Sequence, residues 1–496
     1  MGRLAVGLAL GTGNAAIVAA AVDTTPRNAK YFFSATRLEP LKSTATASAG
    51  REVLYSRVTF ATPDYPTSGW RFYFANWYVD QADVTNAPEK DIATPCDVEA
   101  YVELGGVHTR ITFAGQNRVT IPPGGGLWCD EIPGFSPNAN VRGFVKTADI
   151  RATGELRPVG PSRMSSLGEA AEWAATFSVT KINGTSSISN TASGSWFAPV
   201  AAVAKGNDGR TVALVVGDSI TFGLDETSGL ADGRGNIGAW RRGLDENVIG
   251  ERIPYGMFAA PGTRPSGTST LNAGAWRRRH EVLSSLPDLP FDVIIDGYGV
   301  NDANTNLATW QNSMQTNWDF LTSLYHKPIY QVTLTPKSSA TGNVWWTDLS
   351  HQTPAADVRV ALNDWIRTIP SPLAGIIDMA PAYADAAELG KWAVRPFTTT
   401  FASAYAGGTS GLSLANAPVV GEQLVFADGT SSKQYSTVIG VSGAGPYTVT
   451  VNNTISAYAS GATVKANPTD DGLHPTTIVH KNAAANVVAP WKVVIS

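Results

Sequence analysis

Hydrophobic and polar positions are arranged in three different ways along this 496-residue chain. From about Ala29 to Lys181 they alternate with period two, as in Val53-Leu54-Tyr55-Ser56-Arg57-Val58-Thr59-Phe60 and in Val107-His108-Thr109-Arg110-Ile111-Thr112-Phe113. Such segments, separated by Pro, Gly and Asp turns, predict half-buried antiparallel strands in a jelly-roll-like β-sandwich. From Thr211 to about Pro396, short apolar runs alternate with helical spacing. Strands are predicted at Thr211–Val216, Pro254–Ala259, Asp292–Asp296, Pro328–Leu334 and Gly375–Met379, and helices at Gly238–Val248, Ala275–Leu286, Ala308–Tyr325 and Ala355–Ile366. That order predicts an α/β fold whose parallel sheet carries helices on both faces. From about Phe397 to Lys465 the period returns to two, with a turn signal at Ala427-Asp428-Gly429-Thr430 and a clean strand at Tyr447-Thr448-Val449-Thr450-Val451. The α/β texture resumes at Asp470 and closes on a helical run, Ile478–Val488. The division expected is an Ala/Gly-rich segment (1–28), a β-sandwich (29–181), a Ser/Thr/Gly/Asn-rich connector (182–208), an α/β domain (209–396 and 466–496) and a β-rich insertion (397–465).

Composition narrows this picture. Apolar residues make up 43% and charged residues 16%, enough for sizeable cores and too little charge for disorder. The net charge of −4 gives no reason to expect nucleic acid or an anionic membrane as partner. The one basic cluster, Arg277-Arg278-Arg279, reads as a solvated helix face. Cys96 and Cys129 lie in the same region and suit either a disulfide or two buried thiols. No CxxC pair or HExxH occurs, so no metal site is expected. Gly233-Arg234-Gly235 lacks the third glycine of a dinucleotide loop, there is no P-loop, and no cofactor is expected. Leu4–Ala21 is apolar, follows Arg3 and ends in Ala19-Ala20-Ala21. It suits a secretory signal or an ordered segment that packs a homo-oligomer or particle, while Gly11-Thr12-Gly13-Asn14 argue against a membrane span.

The candidate chemistry begins at Gly217-Asp218-Ser219-Ile220, directly after the first predicted strand of the α/β part. Open α/β sheets place their sites at the carboxyl ends of strands, so Ser219 is a candidate nucleophile, although the same residues also make ordinary turns. A serine nucleophile needs a base, a group that orients the base, and donors for an oxyanion. Of the six histidines, His108 falls in the sandwich, and His280, His326 and His480 sit in or beside amphipathic helices as surface or capping residues. Two have an aspartate three residues earlier: Asp348/His351 and Asp471/His474. One turn can present both side chains, the carboxylate fixing the imidazole tautomer. The Asp471/His474 pair is preferred, because it follows the last sheet strand and precedes Pro475 and a helix.

Taken together, the stretches resemble the SGNH hydrolases, also called GDSL esterases and lipases. The resemblance rests on Gly217-Asp218-Ser219-Ile220-Thr221-Phe222-Gly223, Ala260-Pro261-Gly262-Thr263, Gly299-Val300-Asn301-Asp302 and Asp471-Gly472-Leu473-His474-Pro475, in that order. It implies a flavodoxin-like α/β/α domain in which Ser219 attacks an ester, His474 is the base and Asp471 orients it. It further implies an oxyanion hole from the Ser219 and Gly262 backbone N–H groups and the Asn301 amide. Asp218 would stabilise the turn, with Gly299 and Asp302 supporting the third stretch, and Asn301 would otherwise be a helix cap. An α/β-hydrolase is disfavoured, since no G-x-S-x-G elbow occurs.

The family spans acetyl-sugar esterases, lipases, thioesterases and acyltransferases. The flanking β regions and 14 tryptophans suit a protein facing a polysaccharide, since exposed aromatics stack on sugars; aromatic strands equally suit a sandwich core. The substrate expected is an acylated carbohydrate, with loss of an O-acetyl or other short acyl group. The modular plan resembles secreted carbohydrate esterases and phage or virion deacetylases, which implies an extracellular or virion setting. The competing readings are a lipase or thioesterase, and a surface or virion protein whose SGNH fold only grips a glycan.

Overall fold

The computed structural model describes residues 25–83, 89–160, 167–192, 195–224, 226, 230–245, 252–268, 276–303, 306–337, 356–386, 389, 391–393, 397–426, 434–469 and 471–495. The segment 1–24, Asp348, His351 and the turn at 427–430 therefore lie outside the described residues.

The N-terminal part is built from antiparallel sheets. One has the order Phe32–Phe33, Ala201–Lys205, Ser68–Ala75, Gly126–Trp128. The other has the order Ala170–Ala174, Val53–Ala61, Arg142–Ile150, Cys96–Leu104, Val107–Ile111, with Val119–Ile121 paired to Cys96–Leu104. The two sheets meet through aromatic rings, Phe60 lying 5.6 Å from Trp70 and 5.7 Å from Phe72 between centroids. Alternation does not carry through to burial. The strand Val53–Ala61 is buried at every position but Arg57. Leu54, Val58 and Phe60 face the main core, while Val53 and Tyr55 pack with Ile182 and Ile188 on the other side. The segment expected to be a connector therefore does structural work at both ends. It covers the outer face of one sheet and supplies Ala201–Lys205 as an inner strand of the other.

The α/β part has a five-stranded parallel sheet in the order Tyr255–Met257, Ala213–Gly217, Val293–Gly297, Ile329–Val332, Gly375–Ile377. Counted along the chain this is 2-1-3-4-5, so the direction of winding switches beside Ala213–Gly217, where open sheets form their crevice. Successive side chains of that strand enter opposite cores. Leu214 and Val216 pack with Trp310, Met314, Leu362 and Ile366 of helices Leu307–Tyr325 and Ala356–Arg367. Ala213 and Val215 pack with Trp240, Leu244, Ala483 and Val488 on the other side. The first of these cores is continuous with the sandwich core, taking in Phe33, Phe72 and Val203.

The strands Thr398–Thr400, Leu412–Leu414, Gln423–Phe426, Gln434–Ser442, Tyr447–Val451 and Thr463–Asn467 form a six-stranded antiparallel sheet with a core of its own, including Phe401, Leu424, Phe426 and Val464. Its ends adjoin, Ala466 N–H donating to the Phe397 carbonyl at 3.1 Å.

Several expectations change. The arginine cluster is not a solvated face: Arg279 is fully buried and pairs with buried Glu89 at 2.6 Å, while Arg277 and Arg278 pair with Asp91. A guanidinium leaves water only with such a partner. His480 is buried rather than superficial, and burial pushes its imidazole down to about 3. Cys96 and Cys129 are separate buried thiols, and burial pushes Cys129 up to about 12. No described tryptophan is exposed: most are buried in the cores, and Trp173 and Trp365 are half-buried against one of them. Among the described residues no helix is long and apolar enough to cross a membrane.

Candidate functional site

The Ala213–Gly217 strand ends in a turn that Asp218 caps. Asp218 precedes the four-residue helix Ser219–Phe222, and its Oδ1 accepts from Ile220 N–H at 3.0 Å. Gly217 has φ +153°, and a Cβ there would lie 2.3 Å from Thr221 Oγ1, so the close turn excludes a side chain. Thr221 Oγ1 donates to the Gly297 carbonyl at 3.1 Å, tying the turn to the neighbouring strand.

Ser219, His474 and Asp471 form one line. His474 Nε2 lies 2.7 Å from Ser219 Oγ, and His474 Nδ1 lies 2.5 Å from Asp471 Oδ2. The other Asp471 oxygen accepts the Leu473 and His474 backbone N–H groups, both at 2.8 Å. Burial works against ionised Asp471, but the imidazole and these N–H donors outweigh it and hold the carboxyl at about 2. An ionised Asp471 fixes the Nδ1–H tautomer and leaves Nε2 to accept the serine proton. The loop is supported from below, Trp392 Nε1 donating to the Gly472 carbonyl at 3.1 Å and Gly472 N–H to Thr469 Oγ1 at 2.9 Å.

The Gly262 and Asn301 loops dock on this line. Ala260 N–H and Thr263 Oγ1 both donate to the Gly217 carbonyl, at 3.0 and 2.9 Å. Asn301 Nδ2 donates to the Thr263 carbonyl at 3.0 Å. Asn301 therefore does not cap the helix at Leu307, where Asn306 accepts from Thr309 N–H instead. Asp302 anchors both loops, accepting from Ser266 N–H and Oγ at 2.9 and 2.8 Å and from Ser313 Oγ at 2.6 Å. Gly299 has φ +138°, and its carbonyl accepts from Trp310 Nε1 at 3.0 Å.

Two buried carboxyls lie behind the turn. Burial pushes Asp218 up to about 6. Burial, with the charge of Asp218, pushes Asp296 up to about 7 against hydrogen bonds from Tyr298 N–H and Asn317 Nδ2. Asp218 and Thr335 also line a cavity of about 20 Å³, room for one water.

Thr221, Thr263, Thr469, Trp392 and Asp296 escaped the sequence reading of the site. Thr221 and Thr263 stand inside the quoted motifs, so their proximity was a signal; nothing local marks Trp392 or Asp296. Among the described residues no cluster of His, Cys, Asp or Glu could hold a metal ion. The arrangement can move a proton from a hydroxyl to an imidazole and so activate an oxygen nucleophile.

No protein-family model matches the chain, and no curated protein sequence matches it. Several solved structures match it, among them two that align over most of its length. One is a salicylyl-acyltransferase, SsfX3, from a tetracycline biosynthetic pathway, at 12% identity and TM-score 0.23, covering 72% of this chain and 86% of that one. The other is a family two carbohydrate esterase from Clostridium thermocellum in complex with cellohexaose, at 11% identity and TM-score 0.24, covering 70% and 87%. Likenesses this weak carry no argument about the chemistry.

Proposed function

We propose that the chain is a serine ester hydrolase of SGNH type that removes O-acetyl or other short acyl groups from a polysaccharide. The observation that carries this reading is the unbroken line from Ser219 Oγ through His474 to Asp471. Ser219 Oγ attacks the ester carbonyl as its proton passes to His474 Nε2. The tetrahedral oxyanion is received by the Ser219 and Gly262 backbone N–H groups and by Asn301. The Asn301 amide has two N–H bonds, and one already serves Thr263, which holds the other in a fixed direction. Each such donor contributes about 3 kcal/mol in the transition state. The intermediate collapses, His474 returns the proton to the leaving alcohol, and water repeats the sequence on the acyl-enzyme.

In this reading residues 209–396 and 466–496 form a flavodoxin-like hydrolase, flanked by a jelly-roll-like sandwich and an inserted β module, and the protein works outside the cell or on a virion. The polysaccharide is supported by this modular plan alone, since no described tryptophan is exposed. The experiment is acetate release from a panel of acetylated polysaccharides, beside p-nitrophenyl esters of increasing chain length, with Ser219→Ala as control. Acetyl preference and release from at least one glycan are expected. Preference for long chains would instead indicate a lipase.

A further inference from the structure

The helix that starts at Ser219 is one turn long and too short to hold its own shape, because a single turn fixes several residues for little hydrogen bonding. Its last carbonyls have no partner inside the helix. One of them, Phe222 O, is taken by Arg241 Nη1 at 2.5 Å. Arg241 belongs to the helix Gly238–Leu244, whose first residue touches the end of the serine helix: a Cβ on Gly223 would lie 2.5 Å from Gly238 Cα.

The other arm of Arg241 reaches out of the α/β part. Its Nη2 donates to Glu39 Oε2, a residue 202 positions away in the chain. Glu39 is 3% exposed and Arg241 1%. The second Glu39 oxygen faces the buried Arg37 guanidinium at 3.9 Å and Lys42 Nζ at 3.8 Å, whose ammonium burial pushes well below its ordinary range. Lys42 Nζ sits over the face of the Phe222 ring. Arg37 has a second carboxylate, Glu169, at 3.0 Å.

We infer that Glu39 is a positioning residue for Ser219. It orients the Arg241 fork, the fork holds Phe222 O, and Phe222 O fixes the one-turn helix that presents the nucleophile to His474. The inference rests on the hydrolase reading and adds that the N-terminal β region is part of the catalytic unit. A buried guanidinium needs a matched carboxylate to keep one orientation, and Glu39 supplies it to Nη2 from across the junction.

The test is Glu39→Gln, with active sites counted by covalent titration of Ser219 with a fluorophosphonate. Displacement of a nucleophile by a fraction of an ångström lowers turnover, so kcat per titrated site should fall roughly tenfold or more, with KM within about twofold. Glu39→Asp, which keeps the charge, should recover part of the loss. A role in folding alone would lower the number of titratable sites and leave kcat per site unchanged, and that result overturns the inference. Arg241→Lys keeps the charge but cannot reach both partners, and it gives the same readout should Glu39→Gln fail to fold. Wild-type protein that neither reacts with the titrant nor hydrolyses esters overturns the hydrolase reading itself, a separate result.

Discussion

The two β regions that flank the α/β sheet are attached in different ways. The N-terminal region shares one continuous core with the sheet, from Phe33 and Phe72 through Leu214 to Trp318. Charged groups cross the junction as well: Glu89 to Arg279, Glu39 to Arg241 and Asp292 to Arg27. The strands of the second region keep a core of their own, and backbone bonds such as Ile478 N–H to Gly421 O at 3.0 Å join that region to the last helices. A shared core makes the first region part of the fold that holds Ser219. A core that is separate except where Tyr435 packs against the α/β side ties the second more loosely.

The largest effect is expected from Arg279→Met. It strands the Glu89 carboxylate in a dry junction and should cost about 3–5 kcal/mol in denaturant unfolding, with ester hydrolysis falling as the junction loosens. A loss under about 1 kcal/mol would mean that the junction is wet and the N-terminal region less integral than its core indicates.

A smaller effect is expected from excising 398–465, because the Phe397 and Ala466 backbones already meet. Hydrolysis of p-nitrophenyl acetate should stay within about threefold of the intact protein, since short closures at adjoining ends cost little. Loss of small-ester hydrolysis would place part of the catalytic machinery in that module.

The smallest effect concerns pH. Asp296 and Asp218 have carboxyls raised by burial, so the folded state binds protons that the unfolded state releases. Their contribution is complete below about pH 4 and is lost as pH rises through about 6 to 7. Asp296→Asn should flatten that decline, seen as a smaller gap between unfolding midpoints at about pH 4.5 and 7.5. An unchanged gap would remove the buried pair as its source.

The parts of this molecule legible in the sequence are those set by short range. The five parallel strands stand out as apolar runs, and Ser219, His474 and Asp471 each sit in a motif of a few residues at a strand or loop end. Partnerships across long separations left no local trace. Arg279 looks solvated until Glu89, 190 residues away, is placed beside it. Glu39 and Arg241 are ordinary charged residues in the sequence and buried partners in the fold. Period-two aromatics could have been core or glycan platform. Phe60, Trp70 and Phe72 proved to be core because two sheets close on them.

The central claim is that Ser219 is an esterase nucleophile, and the most direct measurement is p-nitrophenyl acetate hydrolysis by wild-type and Ser219→Ala protein at equal folded concentration. Turnover by the wild type is predicted to fall by about 10⁴-fold or more in the variant, the loss typical of removing a nucleophile. Equal rates in the two proteins would contradict the account.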